Sequence, residues 1–105
     1  MTLRFTDEQL QYLSRNFANQ DWAIVYLLTH DEDGNPIDFD ALQGMIMREI
    51  HEGLTMTFES FRYRIARLEG AGAVDMVTGV RDGRSKLVRI TPEGYRMYQL
   101  HEGGN

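Results

Sequence analysis

The 105-residue chain contains no cysteine. Disulfide staples, thiolate zinc centres and cysteine redox sensing are therefore excluded. It has no apolar run approaching the roughly 20 residues that span a bilayer. Its opening stretch, MTLRFTDEQL, lacks the apolar segment of a secretory signal. Catalytic signatures are missing as well. His30, His51 and His101 show no metal-ligand spacing, and no glycine-rich phosphate loop follows a strand. Ser14, Ser60 and Ser85 stand in no nucleophile-elbow context. Positive charge is scarce at the start: residues 1–56 hold 3 Lys+Arg against 10 Asp+Glu, and residues 57–105 hold 8 against 6, for a net charge of −5. These absences lead to the expectation of a chain that is not an enzyme, binds no cofactor or metal, makes no membrane contact and resides in the cytoplasm.

What is present supports a packed core. Apolar residues make up 42% and aromatics 10% of the chain. This length suits one domain, able to bury roughly two-thirds of its unfolded surface. Thr6 and Gln9 fit a capping box, and Phe5 with Leu10 a hydrophobic staple. A first helix over about 6–18 follows, with Leu10, Leu13 and Phe17 on its apolar stripe and Tyr12 beside it. That stripe is open to the chain's own core or to a second subunit. Asn19 or Asp21 caps a second helix over about 20–30. Its run Trp22-Ala23-Ile24-Val25-Tyr26-Leu27-Leu28 is apolar on every side, as a buried helix is. A small-molecule pocket lined by Trp22 and Tyr26 is the competing use of that run, and core packing is the preferred one.

Asp31-Glu32-Asp33-Gly34-Asn35 begins like a calcium loop and then departs from one. Pro36 occupies the place that needs glycine, and no bidentate glutamate closes the loop. An acidic turn followed by a short strand at Ile37 is the simpler reading. Asp38 caps the next helix, whose core face is Phe39, Leu42, Met45, Ile46 and Ile50. Arg48 on its outer face is a candidate phosphate contact, as is Thr57.

Thr57 also caps a helix carrying Phe58, Phe61, Ile65 and Leu68 at three- and four-residue steps. The opposite face is assigned Glu59, Ser60, Tyr63, Arg64 and Arg67, with Arg62 on the flank. Gly70 and Gly72 stop this helix. Ala73–Val80 and Lys86–Ile90 read as strands, joined by Arg81-Asp82-Gly83-Arg84-Ser85 with its hairpin-favouring Asp-Gly. Arg81, Arg84, Lys86 and Arg89 gather towards that tip. Thr91 and Pro92 open a last helix over about 92–102, with Tyr95, Tyr98 and Leu100 as its stripe.

Helix, strand, basic turn and strand in this order form the working half of a winged helix-turn-helix. The ordered set Arg67-Leu68-Glu69, Gly72, Asp82-x-Arg84 and Ile90-Thr91-x-x-Gly94 resembles the core of the MarR-type winged-helix regulators, over about Phe58–Tyr98. The resemblance implies a mainly α fold with a small β-hairpin (α+β), in which 1–105 is a single winged helix-turn-helix domain. The helix-turn-helix would occupy about 38–70 and the wing about 73–91. His51 and Thr55 stand where the family usually has small residues, so the angle between the two helices departs from the common pattern.

The expected function is sequence-selective binding of double-stranded DNA by a homodimeric, nucleoid-associated transcription regulator. Ser60, Arg62, Tyr63, Arg64 and Arg67 would line the recognition helix. Arginine suits guanine through two hydrogen bonds to O6 and N7. On the wing, the resemblance implies that Arg84 enters the minor groove and Asp82 orients it, with Arg81 and Lys86 alongside. Two other readings stay open. One is a winged-helix protein-interaction module that works through its acidic N-terminal half. The other is a DNA-binding adaptor of plasmid-partition or phage type that also recruits a protein partner.

Overall fold

Local hydrogen-bond capture sets where the elements begin and end. The computed structural model describes residues 3–30, 35–49, 56–78 and 86–103, leaving aside the side chains at 47–49, 58 and 78. The chain order is α1 (Asp7–Ser14), α2 (Asn19–Leu28), β1 (Ile37–Asp38), α3 (Phe39–Glu49), α4 (Phe58–Gly70), β2 (Val74–Thr78), β3 (Lys86–Ile90) and α5 (Pro92–His101). The fold is mainly helical with a small antiparallel sheet, as expected of an α+β chain. The sheet has three strands, in the order β1-β3-β2.

The Thr6–Gln9 box closes as its spacing requires. Gln9 N–H donates to Thr6 Oγ1 at 3.2 Å and Thr6 N–H to Gln9 Oε1 at 2.9 Å. α1 then stops at Ser14, about a turn short of the expected end. Three local bonds account for this. The Ser14 hydroxyl turns back to Leu10 O at 2.9 Å, Arg15 Nη1 donates to Tyr12 O at 2.6 Å, and the Asp21 carboxylate takes the Ala18 N–H at 2.7 Å. The last of these starts α2. Ala18 stands at its N-cap, so Asn19 does not cap it, and Asp21 does so from inside the first turn.

α2 is the central post. Its Ile24, Val25, Leu27 and Leu28 are buried with Leu42 and Ile46 of α3, Phe61, Ile65 and Leu68 of α4, Val74 of β2 and Val88 of β3. Phe61 and Leu68 are wholly buried, and each such side chain contributes about 1.5–3 kcal/mol by leaving water. Phe39 meets Phe61 edge-on, with ring centroids 4.8 Å apart, which joins α3 to α4. α1 packs on α5. Its Leu10 enters the chain's own core, whereas Tyr12 stays 63% exposed.

Ile37 pairs with Val88 and Asp38 with Leu87, so the short strand expected at Ile37 becomes an edge of the sheet. Asp38 also caps α3, accepting from Ala41 N–H at 3.1 Å. β2 and β3 pair from Val74↔Ile90 to Thr78↔Lys86. Val74 and Val88 point into the core and Asp75 and Arg89 point out, as period-two alternation requires.

α4 ends in a Schellman turn. Ala73 N–H reaches Leu68 O at 2.9 Å and Gly72 N–H reaches Glu69 O at 3.0 Å, with Gly72 at φ 83°. α5 begins at Thr91, whose hydroxyl accepts from Gly94 N–H at 2.9 Å, with Pro92 in the first turn. The buried face of α5 is Glu93, Gly94 and Met97, flanked by half-buried Tyr98 and Leu100. Tyr95, expected on the inner stripe, is 47% exposed. Gly94, Met97 and Tyr98 follow three- and four-residue steps on one face, and Tyr95 lies off it.

Candidate nucleic-acid interface

The side of α4 away from the core is the surface that the sequence points to. Thr57 caps this helix, accepting from Ser60 N–H at 3.1 Å. Thr57 is exposed at the helix entrance and Ser60 is half-buried. Unpaired N–H groups and the helix dipole make such an entrance favourable for phosphate. Along the helix the exposed residues are Glu59, Arg62, Tyr63, Ala66, Glu69 and Gly70. Tyr63, 59% exposed, is the largest outward group.

Arg64 does not share that outward face. Its side chain is only 18% exposed, and Nη1 donates to Asp21 Oδ2 at 3.2 Å. This corrects the face assigned to it from sequence. At about 100° per residue, Arg64 lies only about 70° round from the middle of the Phe61–Ile65–Leu68 stripe, and Tyr63 lies almost opposite. Arg64 thus flanks the core and meets α2. Arg67, one turn later, donates from Nη2 to Asn16 O at 2.9 Å and from Nη1 to the Tyr63 hydroxyl at 3.4 Å. That hydroxyl, and secondarily the Asp21 charge, raise the pKa of the Arg67 guanidinium and so favour its charged form. Both arginines turn their head groups to the α1–α2 corner, residues 16–21.

On the hairpin, Lys86 is exposed at the start of β3. Arg89 lies well back from the tip and pairs across the strands with Asp75 at 3.3 Å, both side chains about half exposed. The wing residues Arg81, Asp82 and Arg84, the turn His51–Thr55 and the acidic turn at Asp31–Gly34 lie outside the described residues, as does the Arg48 side chain. Arg62 and Tyr63 thus face outward together on α4, Ser60 and Arg67 are half-buried beside them with the Arg67 head group turned to the corner, Thr57 sits at the entrance, and Lys86 stands apart on the hairpin.

Trp22 lines a cavity of about 300 Å³ together with Gln11, Ser14, Arg15, Phe17, Met97, Leu100 and His101. The Trp22 indole stacks on the His101 ring at 4.0 Å and 10°, and Phe17 meets it edge-on at 5.0 Å. Tyr26, the other residue expected beside such a pocket, is 47% exposed and lies 6.0 Å from the Tyr98 ring instead. Among the described residues no group of three or more His, Asp or Glu is placed to hold a metal, and no helix is long and apolar enough to cross a membrane.

The Asp21–Arg64 pair spans 43 residues and no local spacing announces it, although a signal for it is there. A carboxylate at the head of an otherwise apolar helix must find a partner when that helix is buried. No protein-family model matches this chain, and no curated protein matches it.

Proposed function

We propose that the chain is a sequence-selective binder of double-stranded DNA, a homodimeric transcription regulator built as a winged helix-turn-helix. The observation that carries this reading is the placement of α4. It is capped by Thr57, held to the core by Phe61, Ile65 and Leu68, and lined on its open side by Arg62 and Tyr63. An antiparallel hairpin follows directly, and its connecting segment carries Arg81 and Arg84 in sequence. In this reading α4 enters the major groove, where Arg62, Tyr63 and Ser60 meet base edges or adjacent phosphates. Thr57 and Arg48 hold phosphates and fix register. Arg84, oriented by Asp82, enters the minor groove, where narrow width concentrates negative potential. Arg81 and Lys86 attract the backbone on either side. Two copies would prefer an inverted repeat with half-sites about one helical turn apart.

A second reading is favoured by one observation. Arg64 and Arg67 bond within the chain, and residues 1–56 carry a surplus of acid. The same architecture would then serve as a protein-interaction module, or as an adaptor that binds DNA and recruits a protein through its acidic half.

Salt-dependent fluorescence anisotropy on random duplex DNA separates the two. Wild type should give a steep negative log–log slope. Arg62→Ala/Arg84→Ala should give a slope shallower by about 0.9 for each phosphate that the variant no longer neutralises. No binding at low salt, either to random duplex or to a selected-sequence pool, would reject DNA binding and leave the protein-interaction module.

A further inference from the structure

Asp21 is completely buried at the head of α2. Its Oδ2 serves two donors, the Ala18 N–H at 2.7 Å and Arg64 Nη1 at 3.2 Å. Its Oδ1 has no hydrogen-bond partner among the described residues, and neither has Arg64 Nε. A fully matched arginine–carboxylate pair uses two parallel N–H···O bonds. This pair uses one. Among the described residues the guanidinium is hydrogen-bonded at a single point, and its side chain reaches the surface with 18% of its area exposed. Loss of that one bond would leave the guanidinium, at the end of a flexible stem, with no hydrogen bond to hold it among the described residues. Arg67 is drawn to Asn16 O at the same corner, so two successive turns of α4 turn their cations inward.

For a binder that must choose one sequence among many, each free cation on the recognition helix has a cost. Phosphate contacts add affinity for every sequence alike and carry no base information. We propose that Asp21 withholds Arg64 from nucleic acid. It acts as a positioning residue that lowers non-specific DNA affinity by one cation and leaves the outward face of α4 to Arg62 and Tyr63. This rests on the DNA-binding reading above.

The test is salt-dependent anisotropy of the full chain on random duplex DNA, comparing wild type, Asp21→Asn, Arg64→Gln and the double variant. Asparagine keeps the shape and an oxygen for the Ala18 N–H but loses the charge that holds the guanidinium. Asp21→Asn should steepen the log–log salt slope by about 0.9, the value of one neutralised phosphate. Arg64→Gln should keep the wild-type slope, and the double variant should return to it. A fold defect alone cannot produce a steeper slope that the second substitution cancels. An unchanged slope in Asp21→Asn, or a gain that survives in the double variant, overturns the proposal. Should Asp21→Asn fail to fold, Asp21→Ser takes its place in the same comparison, and a slope shallower than wild type in Arg64→Gln means that Arg64 already contacts DNA and overturns the proposal. If wild type binds and only the latch pattern fails, the DNA reading stands without it. If no variant binds random or selected duplex, both fall together.

Discussion

Replacing Gly94 with alanine sets a local preference against a tertiary one, and the geometry decides the sign. An ideal Cβ at position 94 would lie 2.0 Å from the carbonyl oxygen of Ala73, 2.8 Å from its carbon and 3.0 Å from its Cα. Ordinary contacts of a Cβ begin near 3.4 Å. All three opposing atoms are backbone, and the Ala73 carbonyl is itself held by the Thr91 N–H at 3.0 Å. No rotamer change relieves the clash, so α5 must move away from the start of β2. Helix propensity alone favours alanine by about 1 kcal/mol. Against that stand an overpacking cost of about 1–3 kcal/mol and the weakening of hydrogen bonds worth about 1 kcal/mol each. The expected net loss is about 2 kcal/mol or more. Urea unfolding followed by circular dichroism measures it, and a fall of roughly 10 °C in Tm should accompany it. Gly70→Ala is the control, since nothing lies within 4 Å of its Cβ position. It should be neutral or stabilise by up to about 1 kcal/mol. If Gly94→Ala melts at or above wild type, the close seating of α5 on Ala73 is wrong.

Arg64→Ala leaves the buried Asp21 carboxylate without its cation and should cost about 3 kcal/mol, read as a lower urea midpoint. Adding Asp21→Asn should recover part of that loss, and strict additivity of the two would mean that the pair does not interact. Arg89→Ala removes an exposed cross-strand pair with Asp75 and should change stability by no more than about 1 kcal/mol in the same assay. Arg96 donates to Asp7 at 2.7 and 2.9 Å and holds the Asp7 carboxyl below the usual carboxylate range. That stabilisation is complete above the unfolded-state pKa, near 4, and is lost as pH falls through the lower folded-state value. Denaturation midpoints measured at low salt should therefore fall more steeply with acid in wild type than in Asp7→Asn, and parallel curves would remove this pair from the acid response.

The parts of the fold legible in the sequence are those whose partners lie three or four residues apart. Thr6 with Gln9, Asp38 with Ala41, Thr57 with Ser60 and Thr91 with Gly94 are all caps closed within one turn, and each starts its helix where the sequence places it. The Phe61, Ile65 and Leu68 stripe is likewise local, because periodicity alone reports it. Features decided across the chain are not legible in this way. Asp21 reads as a cap, but its second role depends on Arg64, 43 residues away. Arg67 reads as free to reach DNA because nothing nearby in sequence announces that Asn16 O stands beside it, 51 residues back. The inward face of α5 is hidden for a different reason. Its tyrosines look like core, whereas the packing contact is Gly94 against a backbone carbonyl, which hydrophobicity does not register.

These long-range contacts give α4 two anchors of unequal strength. At its C-terminal end, Ala73 N–H bonds to Leu68 O at 2.9 Å, while Thr91 closes on the same turn through its N–H to Ala73 O at 3.0 Å and its hydroxyl to Gly72 O at 2.6 Å. The end of α4, the start of β2 and the cap of α5 therefore share one knot of backbone bonds. On its flank, α4 is tied to the α1–α2 corner by single bonds from Arg64 and Arg67. α1 in turn is tied to α5 by Arg96–Asp7, and the segment before α1 by Arg4–Glu93, each reaching 2.7 Å. The linkages close a ring, α4 to α5 to α1 to α2 and back to α4. A displacement of α1 along α5 has to be absorbed somewhere in that ring. The knot at Gly72–Thr91 is made of several short backbone bonds and the Gly94 contact, whereas the corner adds to the apolar packing of α4 on α2 one 3.2 Å bond to a half-used carboxylate and one to a carbonyl. The corner therefore sets the direction of the α4 arginine head groups, while the knot sets where the helix ends.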